Sequence, residues 1–241
     1  MAKYLQIEGK AGRVFEYSKA EKEGFEKYES STGNVSYRKY YNKGVYGTLL
    51  NVSIRPSKIG EQLQVSVKNG DEYVNLQFPL YTEKGNIDSR FAESIIRFLP
   101  SLEKGKGYRF YPYAIEQEGT SYMNYGVSVI NSPNPEAEEK GDKVEPFLEY
   151  SKTPKGDKQI PNLVWKESAG KNKPSAVSLE AKDEFLFDYL KEAVDGHLKY
   201  EGGSSNTSQE STPKDTPKSE ESKPKDVTPS EPDDYDDLPF N

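Results

Sequence analysis

Two short segments of this chain interleave tyrosines with cations. Ser36-Tyr37-Arg38-Lys39-Tyr40-Tyr41-Asn42-Lys43 is the first. Lys104-Gly105-Lys106-Gly107-Tyr108-Arg109-Phe110-Tyr111-Pro112-Tyr113 is the second. Flat rings offer faces on which unpaired bases stack, and neighbouring Lys and Arg meet the phosphates. On this reading Tyr37, Tyr40, Tyr41, Tyr111 and Tyr113 stack bases, while Arg38, Lys39, Lys43 and Arg109 hold phosphates. Arg13, Arg55, Lys58 and Lys68 would widen the basic groove. Each stacked base is worth about 1–3 kcal/mol. The competing reading is structural, because aromatic residues also favour strands simply by packing well on a pleated surface.

Catalysis has less to build on. There is no cysteine, so disulfides, thiolate metal sites and Cys-His pairs are excluded. The single histidine, His197, falls near the end of an expected helix, where a partly exposed helix-terminal role suffices. No phosphate-cradling GxxxxGK[ST] loop and no GxGxxG after a strand occurs. Adjacent carboxylates, Asp71-Glu72 and Asp183-Glu184, have the chemistry for Mg²⁺ but rarely face one site. The expectation is a non-enzymatic protein with no cofactor.

Charge divides the chain. Of its 33 Lys+Arg and 40 Asp+Glu, 4 and 11 fall in residues 201–241, so the first 200 residues carry 29 of each. A neutral body must therefore segregate its charges to build a basic face. From Glu201 to Asp226 no large apolar residue occurs, and Ser, Thr, Pro and Lys dominate. Such a segment cannot bury enough apolar surface to offset its ordering entropy. A disordered acidic tail over 201–241 is expected, which also accounts for the low mean hydropathy of −0.92.

The tail ends Asp233-Asp234-Tyr235-Asp236-Asp237-Leu238-Pro239-Phe240-Asn241. This tip resembles that of the bacterial single-stranded DNA-binding proteins: an acidic run, a hydrophobic residue, Pro and Phe. The resemblance covers about nine residues and the style of the tether, and a phage-encoded single-strand binder of similar design fits the body better. It implies a sequence-tolerant protein that coats single-stranded DNA in replication, recombination and repair. It further implies that the tip docks into basic-rimmed pockets of a polymerase, primase, helicase or nuclease. Asp233, Asp234, Asp236 and Asp237 would meet the rim, Phe240 and Leu238 would fill the pocket, and Pro239 would stiffen the approach. Asn241 departs from the family pattern by moving the terminal carboxylate one residue beyond Phe240. The alternative is a protein-interaction adaptor or recombination mediator with the same tip but no nucleic-acid groove.

These groups need a scaffold. Leu50, Val52 and Ile54, then Leu63, Val65 and Val67, then Val74, Leu76 and Phe78 alternate with polar residues, which predicts three half-buried strands. Asn69-Gly70-Asp71 supplies a turn. A helix fits Ser89 to Leu99, with Asp88 as its cap and Pro100 as its stop. Strands follow at Tyr108–Ile115 and Tyr122–Ile130. Three strands, a helix and two strands is the element order of an OB-fold, so a mainly β chain with an OB-fold-like Greek-key barrel over 46–131 is expected. Strands at Tyr4–Ile7, Val14–Tyr17 and Val35–Tyr41 form an N-terminal extension over 1–45, either within the sheet or as a separate hairpin. Residues 132–200 form a C-terminal extension, with short strands at Phe147–Tyr150 and Leu163–Trp165 and a helix at Leu179–Leu198. The N-terminus lacks a long apolar core, and no stretch reaches the ~20 apolar residues of a membrane span. A soluble protein of the cytoplasm, that of a bacterial host if phage-encoded, is expected.

Overall fold

Alternating apolar side chains set the sheet. The computed structural model describes residues 2–9, 11–57, 60–80, 87, 89–119, 122–133, 141–150, 158–168 and 171–195. Among them, nine strands form one sheet: β1 (Lys3–Glu8), β2 (Arg13–Ser18), β3 (Glu26–Glu29), β4 (Val35–Tyr40), β5 (Val45–Ser57), β6 (Gly60–Asn69), β7 (Glu72–Pro79), β8 (Gly107–Glu116) and β9 (Met123–Asn131). Their order is β3-β4-β2-β1-β7-β6-β5-β8-β9, curled into a half-barrel.

The three expected central strands are β5, β6 and β7, each longer than its apolar core. Leu49, Leu63, Val65, Leu76 and Phe78 are fully buried on one face; a bulge between Leu49 and Asn51 puts Leu49, rather than the expected Leu50, on that face with Val52. Burying each contributes roughly 1.5–3 kcal/mol. The Asn69–Glu72 pair closes a two-residue turn on Gly70, whose φ of +58° is open to glycine at little steric cost.

The barrel expected over 46–131 does not close on itself. Five strands in the order β7-β6-β5-β8-β9 close only if β7 and β9 pair. Instead β1 takes the free edge of β7, in parallel, with Leu5 opposite Leu76. The N-terminal strands are thus part of the main sheet rather than a separate hairpin. They continue it through β1-β2, β2-β4 and β4-β3 pairs.

Two helices cover the apolar face. α1 (Arg90–Phe98) is capped by Ser89, whose hydroxyl accepts from the Ala92 N–H at 3.2 Å. Asp88, the expected cap, lies outside the described residues, and the residue after it performs the role. Phe91, Ile95, Phe98 and Leu99, which fall on one face at helical spacing, are buried. Ser94 of α1 also exchanges hydrogen bonds with the edge strand β9, accepting from the Val127 N–H at 2.9 Å. Further along that edge the Val144 N–H donates to the Val129 carbonyl at 2.9 Å. These contacts blunt an edge that would otherwise offer itself to another strand.

The C-terminal extension packs on the same core rather than forming a separate unit. Val144, Leu148, Ile160, Leu186, Leu190 and Ala193 all join it. Phe147–Tyr150 is not a strand. The N–H groups of Phe147 and Leu148 donate to the Arg97 carbonyl at 2.9 and 3.2 Å, so this segment closes the end of α1. Only a single bridge, Glu149 to Gln159, is sheet-like. The expected strand at Leu163–Trp165 shifts to a hairpin of β10 (Trp165–Ser168) and β11 (Lys171–Pro174). α2 (Ala176–Asp195) begins three residues before Leu179 because the Ser175 hydroxyl accepts from the Ser178 N–H at 3.3 Å. The expected continuation to Leu198 lies outside the described residues, as do His197 and the whole tail. No helix among the described residues is long and apolar enough to cross a membrane.

Candidate nucleic-acid interface

The face of the sheet opposite the core carries tyrosines, arginines and amides. Period-two alternation on β8 sends Tyr108 and Phe110 into the core and Arg109, Tyr111 and Tyr113 to the opposite face. Both exposed-face rings rest on glycines. A Cβ on Gly44 would stand 2.7 Å from Cδ1 of Tyr111, and one on Gly126 would stand 2.7 Å from Cζ of Tyr113. Each ring thus occupies space that a side chain would need, in the turn before β5 for Gly44 and on β9 for Gly126. A ring laid across a strand in this way is half-exposed and shaped as a stacking platform.

Tyr111 and Tyr113 line two grooves that they share. One, of about 260 Å³, lies where the turn between β1 and β2 meets β8 and includes Arg13 and Tyr41. The other, about 710 Å³, runs over β8 and β9 towards Asn124, Ser128 and Lys143. The first exists because Gly12 approaches the backbone of β8 closely. Its φ is +63°, and a Cβ there would lie 2.5 Å from the Ala114 nitrogen. Any larger residue would push the hairpin off β8.

Arg109 is only 5 % exposed. Its guanidinium carbon lies 5.8 Å from the centre of the Tyr46 ring, and its Nη1 donates to the Tyr111 hydroxyl at 3.4 Å. Tyr46 pairs with Arg109 across β5 and β8. At that depth Arg109 orients two rings rather than presenting charge to a phosphate.

The tyrosine-cation segment at 36–43 is divided by β4. Phe15 lies opposite Tyr40 and Tyr17 opposite Arg38, whereas Glu16 faces Lys39 and Ser18 faces Tyr37. Arg38 and Tyr40 therefore share the face of Tyr111, while Tyr37 and Lys39 share the other. Tyr41 packs against the core and donates to Glu16 at 3.0 Å. Burial, then that bond to a carboxylate, raises its pKa well above the usual tyrosine range.

Arg38 is held from three sides. Its guanidinium carbon lies 3.2 Å from the Tyr28 ring centre and 4.4 Å from that of Phe15, and Nη1 is 3.3 Å from Glu8. Glu8 also pairs with Arg13 at 2.7 Å, which holds the Arg13 guanidinium above its ordinary pKa through that hydrogen bond. Arg13 in turn covers the Tyr40 ring at 4.2 Å. Glu8 thus compensates both Arg38, which the sequence assigns to a phosphate, and Arg13, which it assigns to the wider basic groove. Lys39, Lys43 and Arg55 are exposed. Lys68 sits 5.7 Å from the Tyr73 ring centre. Lys58 and the tip residues Asp233–Phe240 lie outside the described residues.

One carboxylate of each pair considered for a metal is engaged elsewhere. Glu72 pairs with Lys3 at 2.6 Å, and that bond lowers its pKa. Asp183 accepts from the Ile87 N–H at 3.2 Å, inside the α1-α2 contact.

No protein-family model matches this chain, and no match is found among curated proteins or solved structures.

Sequence reading missed Tyr46, Gly44, Gly126 and Glu8. A glycine carries no such signal until long-range pairing puts the ring of a distant tyrosine on top of it.

Proposed function

We propose that this chain is a sequence-tolerant single-stranded DNA-binding protein. It would coat and protect unpaired strands in replication, recombination and repair. The carrying observation is the pair of rings, Tyr111 and Tyr113, laid over Gly44 and Gly126 between two shared grooves. Bases would stack on these rings, with Arg13 at one end of the track and Lys143 at the other. The element order three strands, α1, two strands supports an OB-fold-like ancestry in which β1 substitutes for self-closure. The acidic tip, through Phe240 and its flanking aspartates, would recruit a polymerase, primase, helicase or nuclease, and the tether would raise its local concentration. This reading suits a phage protein acting in the cytoplasm of a bacterial host, without catalysis or cofactor.

One observation favours a second reading. Glu8 neutralises Arg13 and Arg38, which lowers the positive charge available to a phosphate backbone. A protein-interaction adaptor that uses only the tip would tolerate that.

Titration of the full chain with fluorescently labelled oligo-dT separates the two. Binding should quench protein fluorescence, weaken linearly with the logarithm of salt concentration, and exceed binding to duplex of the same length. Failure to bind oligo-dT in dilute buffer would leave only the adaptor.

A further inference from the structure

Charge is segregated between the two faces of this sheet. At the outward positions of β5 to β9, the ones that alternate with core residues, no carboxylate occurs. The charges there are Arg55, Lys68 and Arg109, whereas Glu61, Glu72 and Glu116 of the same strands fall on the alternate positions. A body with as many acids as bases thus keeps one broad surface clear of negative charge, which suits a polyanion.

Two exposed tyrosines stand on the same face, away from Tyr111 and Tyr113. Tyr73 of β7 is 49 % exposed and Tyr4 of β1 is 54 % exposed. Tyr4 alternates with buried Leu5 and lies opposite Asn75, the next outward residue after Tyr73, so the two rings sit on adjacent strands one pleat apart. Strand pairing joins them to the first platform in a continuous series. Tyr73 lies opposite Lys68, whose Nζ is 5.7 Å from the ring centre, and Lys68 lies opposite Thr48. Tyr46 is the next outward residue beside Thr48 on β5, it lies opposite Arg109, and Arg109 donates to the Tyr111 hydroxyl. Three strand spacings of ~4.8 Å and four residues of ~3.4 Å place Tyr73 about 20 Å from Tyr111 along the sheet.

We infer that Tyr73 and Tyr4 form a second stacking platform, and that one unpaired DNA strand crosses the sheet from it to Tyr111 and Tyr113, with Lys68 on a phosphate between the two. The inference rests on the single-strand reading above and gives that site its path and its length. Rings that stand half in water are reachable by a base without rearrangement, and every base has a face to stack on them. Lys68 pairs with no carboxylate among the described residues, so its charge is available, unlike those of Arg13 and Arg38 beside Glu8. A span of about 20 Å is more than one stacked base covers. Several nucleotides therefore bridge it, within the roughly 4–16 that a single-strand-binding barrel occupies.

The probe is oligo-dT of roughly twelve nucleotides, inside that range, titrated into the full chain by fluorescence anisotropy. Tyr73→Ala should weaken binding about fivefold or more, and Tyr73→Phe, which keeps the ring, should retain native affinity. Lys68→Ala should lower the slope of log affinity against log salt by about 0.7, the worth of one phosphate contact on a single strand. Iodouracil, which couples to aromatic rings on irradiation, reports the two ends separately in the unchanged chain. Placed at one end of the oligonucleotide it should cross-link to Tyr73 or Tyr4, and at the other end to Tyr111 or Tyr113. Native affinity in Tyr73→Ala overturns the inference and leaves the single-strand reading intact. An unchanged salt slope in Lys68→Ala, or cross-links confined to Tyr111 and Tyr113 from both ends, does the same. Absence of binding by the unchanged chain overturns the single-strand reading itself.

Discussion

Tyr113 and Gly126 face each other across β8 and β9, and the ring reaches over the glycine so closely that a Cβ there would stand 2.5 Å from the tyrosine oxygen. The obstructing atom is the far end of a side chain, not backbone. Gly126→Ala should therefore displace the ring and spare the fold. The expected result is a loss of oligo-dT affinity of about fivefold or more, comparable with Tyr113→Ala, given the usual worth of a stacked base. Anisotropy titration beside a thermal melt checks it. Native affinity in Gly126→Ala would remove Tyr113 from the binding surface.

Arg38 and Lys39 are sequence neighbours with opposite duties. Arg38 lies between the rings of Tyr28 and Phe15 and pairs with Glu8; Lys39 is exposed on the other face. Arg38→Ala strips a part-buried carboxylate of one partner and should destabilise the fold by about 1–3 kcal/mol. Lys39→Ala should leave stability within about 0.5 kcal/mol of native. Urea unfolding of the two variants measures both, and equal stabilities would contradict the caged geometry.

Between α1 and α2, Lys182 pairs with Glu93 at 2.7 Å, their side chains only 7 % and 11 % exposed. Beside them Asp183 has its pKa raised by burial, a shift that the nearby Lys182 only partly offsets. A raised carboxyl pKa means the folded state binds the proton more tightly than the unfolded state. The associated stability is fully present below the ordinary aspartate range and is lost as pH rises through the elevated folded value. Relative to Asp183→Asn, the native chain should gain stability on acidification across that interval. Denaturation of both proteins over a pH series shows it, and parallel curves would refute it.

The acidic tail carries a net charge of −7 on residues 201–241. If it competes with DNA for the body's cations, deleting residues 231–241 should tighten binding to oligo-dT, most at low salt. Titrations of both chains at two salt concentrations decide this. An affinity indifferent to the deletion would assign the tip to partner recruitment alone.

Much of the sheet was legible beforehand. Strict alternation at Leu63-Val65-Val67 and Val74-Leu76-Phe78 admits only half-buried strands, and the Asn-Gly step between them admits only a tight turn. The spacing of Phe91, Ile95 and Phe98 likewise specified α1. Periodicity works there because burial repeats at two residues in a strand and near four in a helix, whatever the partner.

Partnership itself was not legible. That β1 takes the edge of β7, opening the expected barrel, depends on which of two edges finds the better match across some 70 residues of chain. The same holds for function. Alternation shows that Arg38 and Tyr40 share a face, but not that Glu8 waits there for Arg38. It shows Tyr113 pointing outward, but not that Gly126 lies beneath its ring. Composition and period determined which residues are available at a surface. Long-range pairing alone decided which of them are spent on one another and which are left for a ligand, because a side chain's charge and hydrogen bonds depend on neighbours that only the register brings close.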